Sequence, residues 1–176
     1  MFYIDKNLTH HTQAVRDIKP GEELTISYID ILQIRLLRQE RTHNSLGFLC
    51  GCSQCSLSRE ESDASDARIL AISRMESELS DLSGQGPSSP MMIEKYLALH
   101  KEERLDSKMA GAYALAALNY NMLGKAEMTK KYARLSVQIG VMLDSGAGDL
   151  DANAMSVLAE DPKSHWSWDM KRRQAA

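Results

Sequence analysis

All three cysteines of the sequence lie in one short motif that begins at Cys50. The thiols of Cys50, Cys52 and Cys55 are close enough in sequence to chelate a single ion, and thiolates are preferred ligands of zinc. A structural zinc ion takes four ligands in a tetrahedron, and this motif supplies three. The spacing therefore predicts a zinc site that needs one more ligand. The alternative is three buried or incidental thiols without a metal.

Three histidines are candidates for the fourth ligand: His43, His10 and His11. A histidine near a metal motif is more often an ordinary surface residue. An odd number of cysteines in one tight cluster suits a metal better than a disulfide framework, and it indicates a reducing compartment. We therefore expect an intracellular protein of the nucleus, the cytoplasm or both.

The composition is that of an ordinary globular protein. The 176 residues are 43% hydrophobic and 26% charged, with a formal net charge of −3. This balance argues against a surface that binds nucleic acid or an anionic membrane. A zinc module for nucleic acid is the weakest functional alternative, because such modules normally show a second metal pair and a basic stripe. We expect no direct nucleic-acid partner and no membrane partner.

The segments before the cysteines contain the elements that must position them. Strands are predicted for three segments, residues 2–4, 8–15 and 24–28. Residues 19–22 predict a tight turn, and Asp30 is a candidate N-cap for a helix that ends near Gly47. The adjacent acids Glu22 and Glu23 are more typical of a structural turn than of a general acid–base pair, because neighbours on a strand point to opposite faces.

The remainder of the chain predicts helices. Residues 83–90 form a break rich in glycine, proline and serine, after which Ser89 and Pro90 can cap and begin a helix. Two apolar stripes follow, separated by Gly124, and two helices joined by so short a loop must pack antiparallel. The apolar faces are Ile69, Ile72, Leu79 and Leu82 before the break, then Met109, Tyr113, Ala116, Tyr120 and Leu123, then Met128, Tyr132, Leu135, Ile139 and Met142.

Two segments resemble a known family. The run from Ala14 to Tyr28 is similar to the last core motif of the SET-domain protein-lysine methyltransferases, and the run from Gly47 to Cys55 resembles the post-SET segment of that family. The order and spacing resemble the SET-and-MYND branch, whose members end in a helical, tetratricopeptide-like domain. The resemblance covers residues 1–58 closely and the helical remainder loosely.

The resemblance implies a fold and a domain organisation. The expected fold class is α+β, in which a short β-rich SET-domain remnant with a cysteine zinc knuckle precedes a mostly α-helical, tetratricopeptide-like hairpin domain. The implied domains are the C-terminal part of a SET domain (1–48), a post-SET zinc knuckle (49–58), a linker and amphipathic helix (59–90) and a helical tetratricopeptide-like domain (91–176).

The resemblance also implies roles for single residues. The cofactor would be S-adenosylmethionine, the metal a structural zinc, and the substrate the lysine of a protein, either a histone or another. Tyr28 would be the catalytic tyrosine that aligns the lysine amine with the methyl donor, and Phe48 would stack on the adenine of the cofactor. Cys50, Cys52 and Cys55 match three zinc ligands. From the residues alone, Tyr28 and Phe48 could equally be core aromatic residues.

Three departures from the family pattern bear on activity. Leu46 stands where a second channel tyrosine is usual, and the sequence contains neither the cofactor-binding glycine loop nor the Asn-His-Ser-Cys motif whose cysteine supplies the fourth zinc ligand. We therefore expect a truncated, C-terminal portion of such an enzyme that is inactive by itself. The alternative function is a non-catalytic helical module, from about residue 64 on, that binds a partner peptide or helix beside a vestigial SET segment.

Overall fold

The computed structural model describes residues 2–4, 10–12, 14–143 and 150–175, which are predominantly helical. Two three-residue strands, β1 (Phe2–Ile4) and β2 (His10–Thr12), pair antiparallel, with Tyr3 opposite His11. This hairpin is all the sheet structure in the described ranges. The expected α+β class with a β-rich N-terminal part is therefore wrong, and the described chain is a helical protein with one small hairpin.

The segment 24–28, predicted as a strand, has no regular secondary structure. Its apolar side chains face solvent, with Leu24 75% and Tyr28 68% exposed. A strand requires a neighbouring strand that satisfies its backbone groups, and no described segment pairs with this one. Alternating β-branched residues are therefore not sufficient to form a strand here.

The predicted turn at residues 19–22 is present, and Glu22 stabilises it. The Glu22 N–H donates to the carbonyl of Lys19 at 3.0 Å, and the Glu22 carboxylate accepts hydrogen bonds from the Lys19 N–H at 3.1 Å and from the Arg16 guanidinium. The hydrogen bond from Arg16 and that from Lys19 lower the pKa of Glu22 to about 2. A carboxylate held ionised in this way serves the turn and is a poor general acid near neutral pH.

Helix α1 (Arg35–Leu46) begins later than the sequence predicts, because a distant residue caps it. Asp66, on helix α2 (Arg59–Leu79), accepts the backbone N–H of Arg35 at 2.8 Å. A carboxylate at this position satisfies an unpaired N–H group and complements the helix dipole. The residues just before the helix, Ile31, Leu32 and Ile34, pack against the helical core. As predicted, the helix ends at Gly47, which has φ 75°.

Helices α2 and α3 (Pro90–Glu102) have well-formed N-termini. Helix α2 begins with a capping box, in which the Ser58 hydroxyl accepts the Glu61 N–H and the Glu61 carboxylate accepts the Ser58 N–H. Helix α3 begins at the predicted Ser89 cap and Pro90. The buried face of α2 comprises Ile69, Ile72, Met75 and Leu79.

Helices α4 (Met109–Met122) and α5 (Ala126–Leu143) form the predicted antiparallel pair. Gly124 joins them with φ 66°, and the N–H of Lys125 donates to the carbonyl of Tyr120 at 3.0 Å. At the other end of the pair, the Ser136 hydroxyl donates to the carbonyl of Ala110 at 2.9 Å. Helix α6 (Leu150–Glu160) adds Met155 and Leu158 to the core, and a short helix α7 (Met170–Ala175) follows.

Three tyrosines stack where α3, α4 and α5 meet. The ring centroids of Tyr120 and Tyr132 lie 5.6 Å apart, and those of Tyr113 and Tyr132 lie 5.7 Å apart. The hydroxyls of Tyr120 and Tyr132 donate to one carboxylate oxygen of Glu94, at 2.8 and 2.6 Å. Partial burial acts to raise the pKa of Glu94, but these two hydrogen bonds outweigh it and lower the pKa. The stripe residues from Met109 to Ile139 belong to the core or pack against it, whereas the side chain of Met142 lies outside what the structure describes.

The segment after α6 docks on the C-terminal end of α4. The side-chain amide of Asn121 donates to the Ser167 hydroxyl at 2.9 Å, and its backbone carbonyl accepts the Asp169 N–H at 2.9 Å. These bonds fix residues 162–169 against the helix pair. Among the described helices, none combines the length and apolarity that a bilayer span requires.

Candidate functional site

The three cysteine sulfurs converge in space. All lie within 4.8 Å of one another, and tetrahedral zinc with bonds of about 2.3 Å places its sulfur ligands about 3.8 Å apart. The thiols therefore fit three corners of a zinc site. Among the described side chains no further histidine, cysteine or carboxylate joins this group, and His43 is outside it. The side chains of His10 and His11 lie beyond what the structure describes.

A tight turn brings two of the sulfurs together. The N–H groups of Cys55 and Ser56 donate to the carbonyl of Cys52 at 3.0 and 2.9 Å. Partial burial opposes ionisation of Cys52, but hydrogen bonds from the backbone of Cys55 and Gln54 and from the neighbouring thiols outweigh it and lower its pKa. Burial raises the pKa of Cys55 to about 11, against the hydrogen bond from Arg38. Cys52 is thus more disposed to ionise than Cys55, and a bound cation would favour loss of the protons of both.

Helix α1 holds the motif from one side. The side-chain amide of Gln39 donates to the carbonyl of Cys50 at 2.8 Å and accepts its N–H at 3.1 Å, so that both backbone groups of this ligand are paired. Arg38, only 7% exposed, hydrogen-bonds to the sulfur of Cys55 and to the carbonyl of Gln33. Its positive charge compensates the negative charge that thiolates bring to a buried position.

Helices α2 and α3 hold the motif from the other side. The side-chain amide of Gln54 donates to the Ser65 hydroxyl at 2.7 Å and to the Glu103 carboxylate at 3.1 Å. Ser65 donates to the same carboxylate oxygen at 2.6 Å, and Arg68 donates to the other oxygen. The motif is therefore fixed by side chains from three helices or helix ends.

An exposed aromatic pair lies beside the cysteine motif. The rings of Tyr28 and Phe48 meet edge to face, with centroids 6.5 Å apart and planes at 78°. Phe48 follows the left-handed Gly47, and its N–H reaches back to the carbonyl of Thr42 at 3.4 Å. The side chain of Phe48 is 42% exposed and that of Tyr28 more so. Neither ring therefore lies in the described core.

Exposed apolar side chains concentrate in the part of the sequence that contains this pair. Of the fourteen large hydrophobic side chains that are exposed among those described, ten lie between residues 15 and 49. The ten are Val15, Ile18, Leu24, Ile26, Tyr28, Leu36, Leu37, Leu46, Phe48 and Leu49. Clustered apolar exposure marks an interaction or ligand surface, whereas scattered exposure does not. The exposed apolar surface is therefore concentrated in residues 15–49, which are more typical of a binding surface than the helical part is.

The aromatic pair is open to solvent, whereas the thiols range from the exposed Cys52 to the buried Cys55. A shallow cleft of about 270 Å³ lies between α1 and the start of α2, where Leu36, Gln39 and Asp66 are among its lining residues. Neither the aromatic pair nor any of the thiols lines this cleft.

The three thiols and the two aromatic residues are recognisable from the sequence, whereas the residues that hold the cysteine motif in place are not. Gln39 is hydrogen-bonded to Cys50, 11 residues later, and Glu103 to Gln54, 49 residues earlier. No local sequence pattern indicates either contact. The sequence of α2 contains a weak indication of such a contact. Ser62 and Ser65 lie on the same buried face as Ile69 and Ile72, although they are polar. Buried hydroxyls need hydrogen-bond partners, which indicates a polar neighbour at that end of the helix.

Several curated proteins are similar in sequence to this chain. The histone-lysine N-methyltransferase set5 of Schizosaccharomyces pombe is 27% identical over 160 residues, which cover 86% of this chain and 48% of that protein. Protein SET DOMAIN GROUP 41 of Arabidopsis thaliana is 44% identical over 46 residues, 26% of this chain and 8% of that protein. Human N-lysine methyltransferase SMYD2 is 35% identical over 66 residues, 38% of this chain and 15% of that protein.

These matches confirm the resemblance to the SET-domain and SMYD methyltransferases that the motifs indicate. The match to the fission-yeast protein covers so much of the chain that it includes the cysteine motif and α1 to α5. The chain spans less than half the length of each of these relatives. No protein-family model matches the chain, and no solved structure does.

Proposed function

We propose that this chain forms the zinc knuckle and one wall of the cofactor and lysine sites of a SET-domain protein-lysine methyltransferase. The observation that carries the proposal is the exposed edge-to-face pair of Tyr28 and Phe48 beside three convergent thiols. Aromatic rings that an ordinary core would bury are here held at an open edge by a helix end and a tight turn. Such an edge is suited to cover one face of a flat ligand.

Cys50, Cys52 and Cys55 would hold the structural zinc, with the fourth corner supplied by a residue outside this group. Two observations support zinc binding here. The sulfur atoms lie within 4.8 Å of one another, and the surrounding side chains hold the cysteines, since Gln39 hydrogen-bonds to the backbone of Cys50 and Arg38 lies against Cys55. The zinc would keep the segment from Leu46 to Cys55 in one conformation. Phe48, two residues before the first ligand, would be positioned by that constraint.

Phe48 and Tyr28 would take separate roles on this edge. Phe48 offers an exposed ring on which the adenine of S-adenosylmethionine could stack, and the Tyr28 hydroxyl would align the lysine amine with the methyl donor. When bound, S-adenosylmethionine would supply an activated methyl group, which passes from its positively charged sulfur to a neutral lysine amine as the neutral thioether leaves. Apolar side chains near Tyr28, such as Leu24 and Ile26, would help to desolvate that amine and keep it neutral.

The proposed domain division follows these roles. Residues 1–48 would be the C-terminal part of the SET domain, 49–58 the post-SET knuckle, 59–90 a linker and amphipathic helix, and 91–176 a helical, tetratricopeptide-like domain. The distribution of exposed apolar side chains favours this assignment over a helical interaction module, because only four of the fourteen lie beyond residue 49, at Leu70, Met91, Val157 and Trp166. The substrate would be the lysine of a histone or another protein.

The test is a chimera in which this chain replaces the segment of the fission-yeast relative that it matches. We expect the chimera to transfer a labelled methyl group to protein lysine, and this chain alone to transfer none. In the chimera, Phe48→Ala should raise the KM for S-adenosylmethionine about tenfold, the effect of losing one base–aromatic stack. Leu49→Ala is the matched control, since Leu49 is the exposed apolar neighbour, and it should leave the KM unchanged.

Two outcomes would contradict the proposal. One is a folded chimera whose KM for S-adenosylmethionine is insensitive to Phe48→Ala. The other is methyl transfer by this chain alone at a rate comparable with that of the chimera, since the proposed wall would then be a complete site.

A further inference from the structure

The hydrogen bonds between the cysteine motif and the helical part converge on Glu103. This residue directly follows α3, and its side chain is only 2% exposed. Its carboxylate accepts hydrogen bonds from Gln54 at 3.1 Å, from Ser65 at 2.6 Å and from Arg68. A carboxylate this deeply buried requires such partners, because an unpaired buried charge is strongly unfavourable. The three donors therefore hold one another in place through it.

Gln54 connects this network to the cysteine motif. It lies between Cys52 and Cys55, inside the turn whose backbone hydrogen bonds bring those two sulfurs together. Fixing the Gln54 side chain on Glu103 and Ser65 therefore fixes the turn relative to α2 and α3. Gln39 holds Cys50 in the same way from α1. Residues outside the ligand set that orient metal ligands commonly determine the affinity of the site.

We propose that Glu103 is a positioning residue for the metal site, which couples zinc binding by the knuckle to the fold of the helical part. This inference rests on the proposed zinc site and goes beyond it, because the residue lies 49 positions after Gln54 and in a different unit of the chain. Coupling of this kind is reciprocal: if the helical part strengthens zinc binding, zinc stabilises the helical part to the same extent.

A purely structural role for Glu103 makes a different prediction. Arg68 pairs with both Glu103 and Glu102, and this ion pair could simply join α2 to the end of α3. In that case removal of Glu103 would lower the stability of the metal-free protein and leave zinc affinity unchanged. Removal of Gln54, which lies in the knuckle turn, would then have little effect on either quantity.

The experiment measures zinc affinity of the full chain by competition with a chromophoric chelator, for the wild type and three variants. We expect Glu103→Gln and Gln54→Ala each to weaken zinc binding about tenfold, the lower end of the range for residues that orient metal ligands. Glu102→Gln is the matched control: it removes an exposed carboxylate that also pairs with Arg68, and it should change affinity by less than about twofold.

Two further readouts separate positioning from stability. Cobalt should give a thiolate charge-transfer band in the wild type that is altered in Glu103→Gln and Gln54→Ala. The zinc-induced rise in Tm should shrink in both variants, while the Tm of the metal-free protein should fall less in Gln54→Ala than in Glu103→Gln, because Ser65 and Arg68 still pair with the carboxylate. If the two residues acted independently, the double variant would lose affinity about 100-fold, the product of the two single effects. We expect a smaller loss, because both residues act through one hydrogen bond.

The outcomes are distinguishable. If the wild type binds zinc and both single variants bind it equally well, the positioning role is wrong while the zinc site stands. If the wild type binds neither zinc nor cobalt, the proposed metal site fails, and the role of Glu103 fails with it. Weaker binding in Glu103→Gln alone, with Gln54→Ala unchanged, would also overturn the inference, because the effect would not pass through the knuckle.

Discussion

At the residue scale, the exposed carboxylate of Glu94 accepts hydrogen bonds from the core, and their contribution to stability can be tested by a small change. Two tyrosine hydroxyls donate to a single carboxylate oxygen of Glu94. Removing the Tyr132 hydroxyl with Tyr132→Phe keeps the ring stack and deletes the shorter of the two bonds. We expect the free energy of unfolding to fall by about 1 kcal/mol, the usual net value of such a bond, as measured by urea denaturation at neutral pH.

The effect should depend on pH in a defined direction. Because the pKa of Glu94 is lowered in the folded state, its contribution is present in full above the ordinary value of 4.5 and is lost as the pH falls through the lowered pKa. The difference between wild type and Tyr132→Phe should shrink over that acidic range. Tyr113→Phe is the control, because Tyr113 lies in the same stack without a hydrogen bond to Glu94. An equal loss in both variants would mean that removal of a tyrosine hydroxyl as such, rather than of its hydrogen bond to the carboxylate, is responsible.

At the scale of elements, helix α1 carries the residues that hold the cysteine motif, so its start matters. Asp66→Ala removes the carboxylate that accepts the Arg35 N–H. We expect a loss of about 1 kcal/mol in unfolding free energy, as for other N-cap deletions. Asp63→Ala is the matched control, since Asp63 is exposed on the same helix and its pairing with Arg59 spans 4.0 Å. Similar losses in the two variants would show that Asp66 does not act as a cap.

Elements with local signals were predicted well from the sequence. Helix α3 has its serine cap and proline within two residues, and the α4–α5 pair has a regular apolar stripe on each side of Gly124. In each case the deciding interactions lie within a few residues of the element they define. The positions at which these helices begin, turn and pack therefore follow from the residues themselves.

Elements decided by distant contacts were not predicted. Helix α1 takes its cap from Asp66, 31 residues after Arg35, and the segment before it is held by packing on the core. The alternating segment 24–28 forms no strand, since no described strand pairs with it. The candidate site divides in the same way. The spacing of the cysteines is local, and it predicts that their thiols cluster. The hydrogen bonds of Gln39 and Glu103 join residues that only the fold brings together.

At the scale of the whole molecule, the cysteine motif joins two parts of different character. Before it, apolar side chains are exposed and regular structure is sparse up to α1. After it, the helices share one buried core that extends from Ile69 to Leu158. The motif contacts both parts through side chains, Gln39 on one side and Glu103 on the other. The proposed wall of the active site is thus attached to the helical part through the cysteine motif.

The most direct test of the proposed function is the single-turnover rate of methyl transfer by the chimera with the fission-yeast relative, with and without the Tyr28 hydroxyl. If Tyr28 aligns the lysine amine with the methyl donor, Tyr28→Phe should lower this rate about 100-fold, the effect expected when reacting groups lose their alignment. The KM for S-adenosylmethionine should change little, because Phe48 carries that contact. A zinc-loaded, folded chimera that transfers methyl groups equally fast with Tyr28→Phe would contradict the proposal that this edge belongs to a methyltransferase active site.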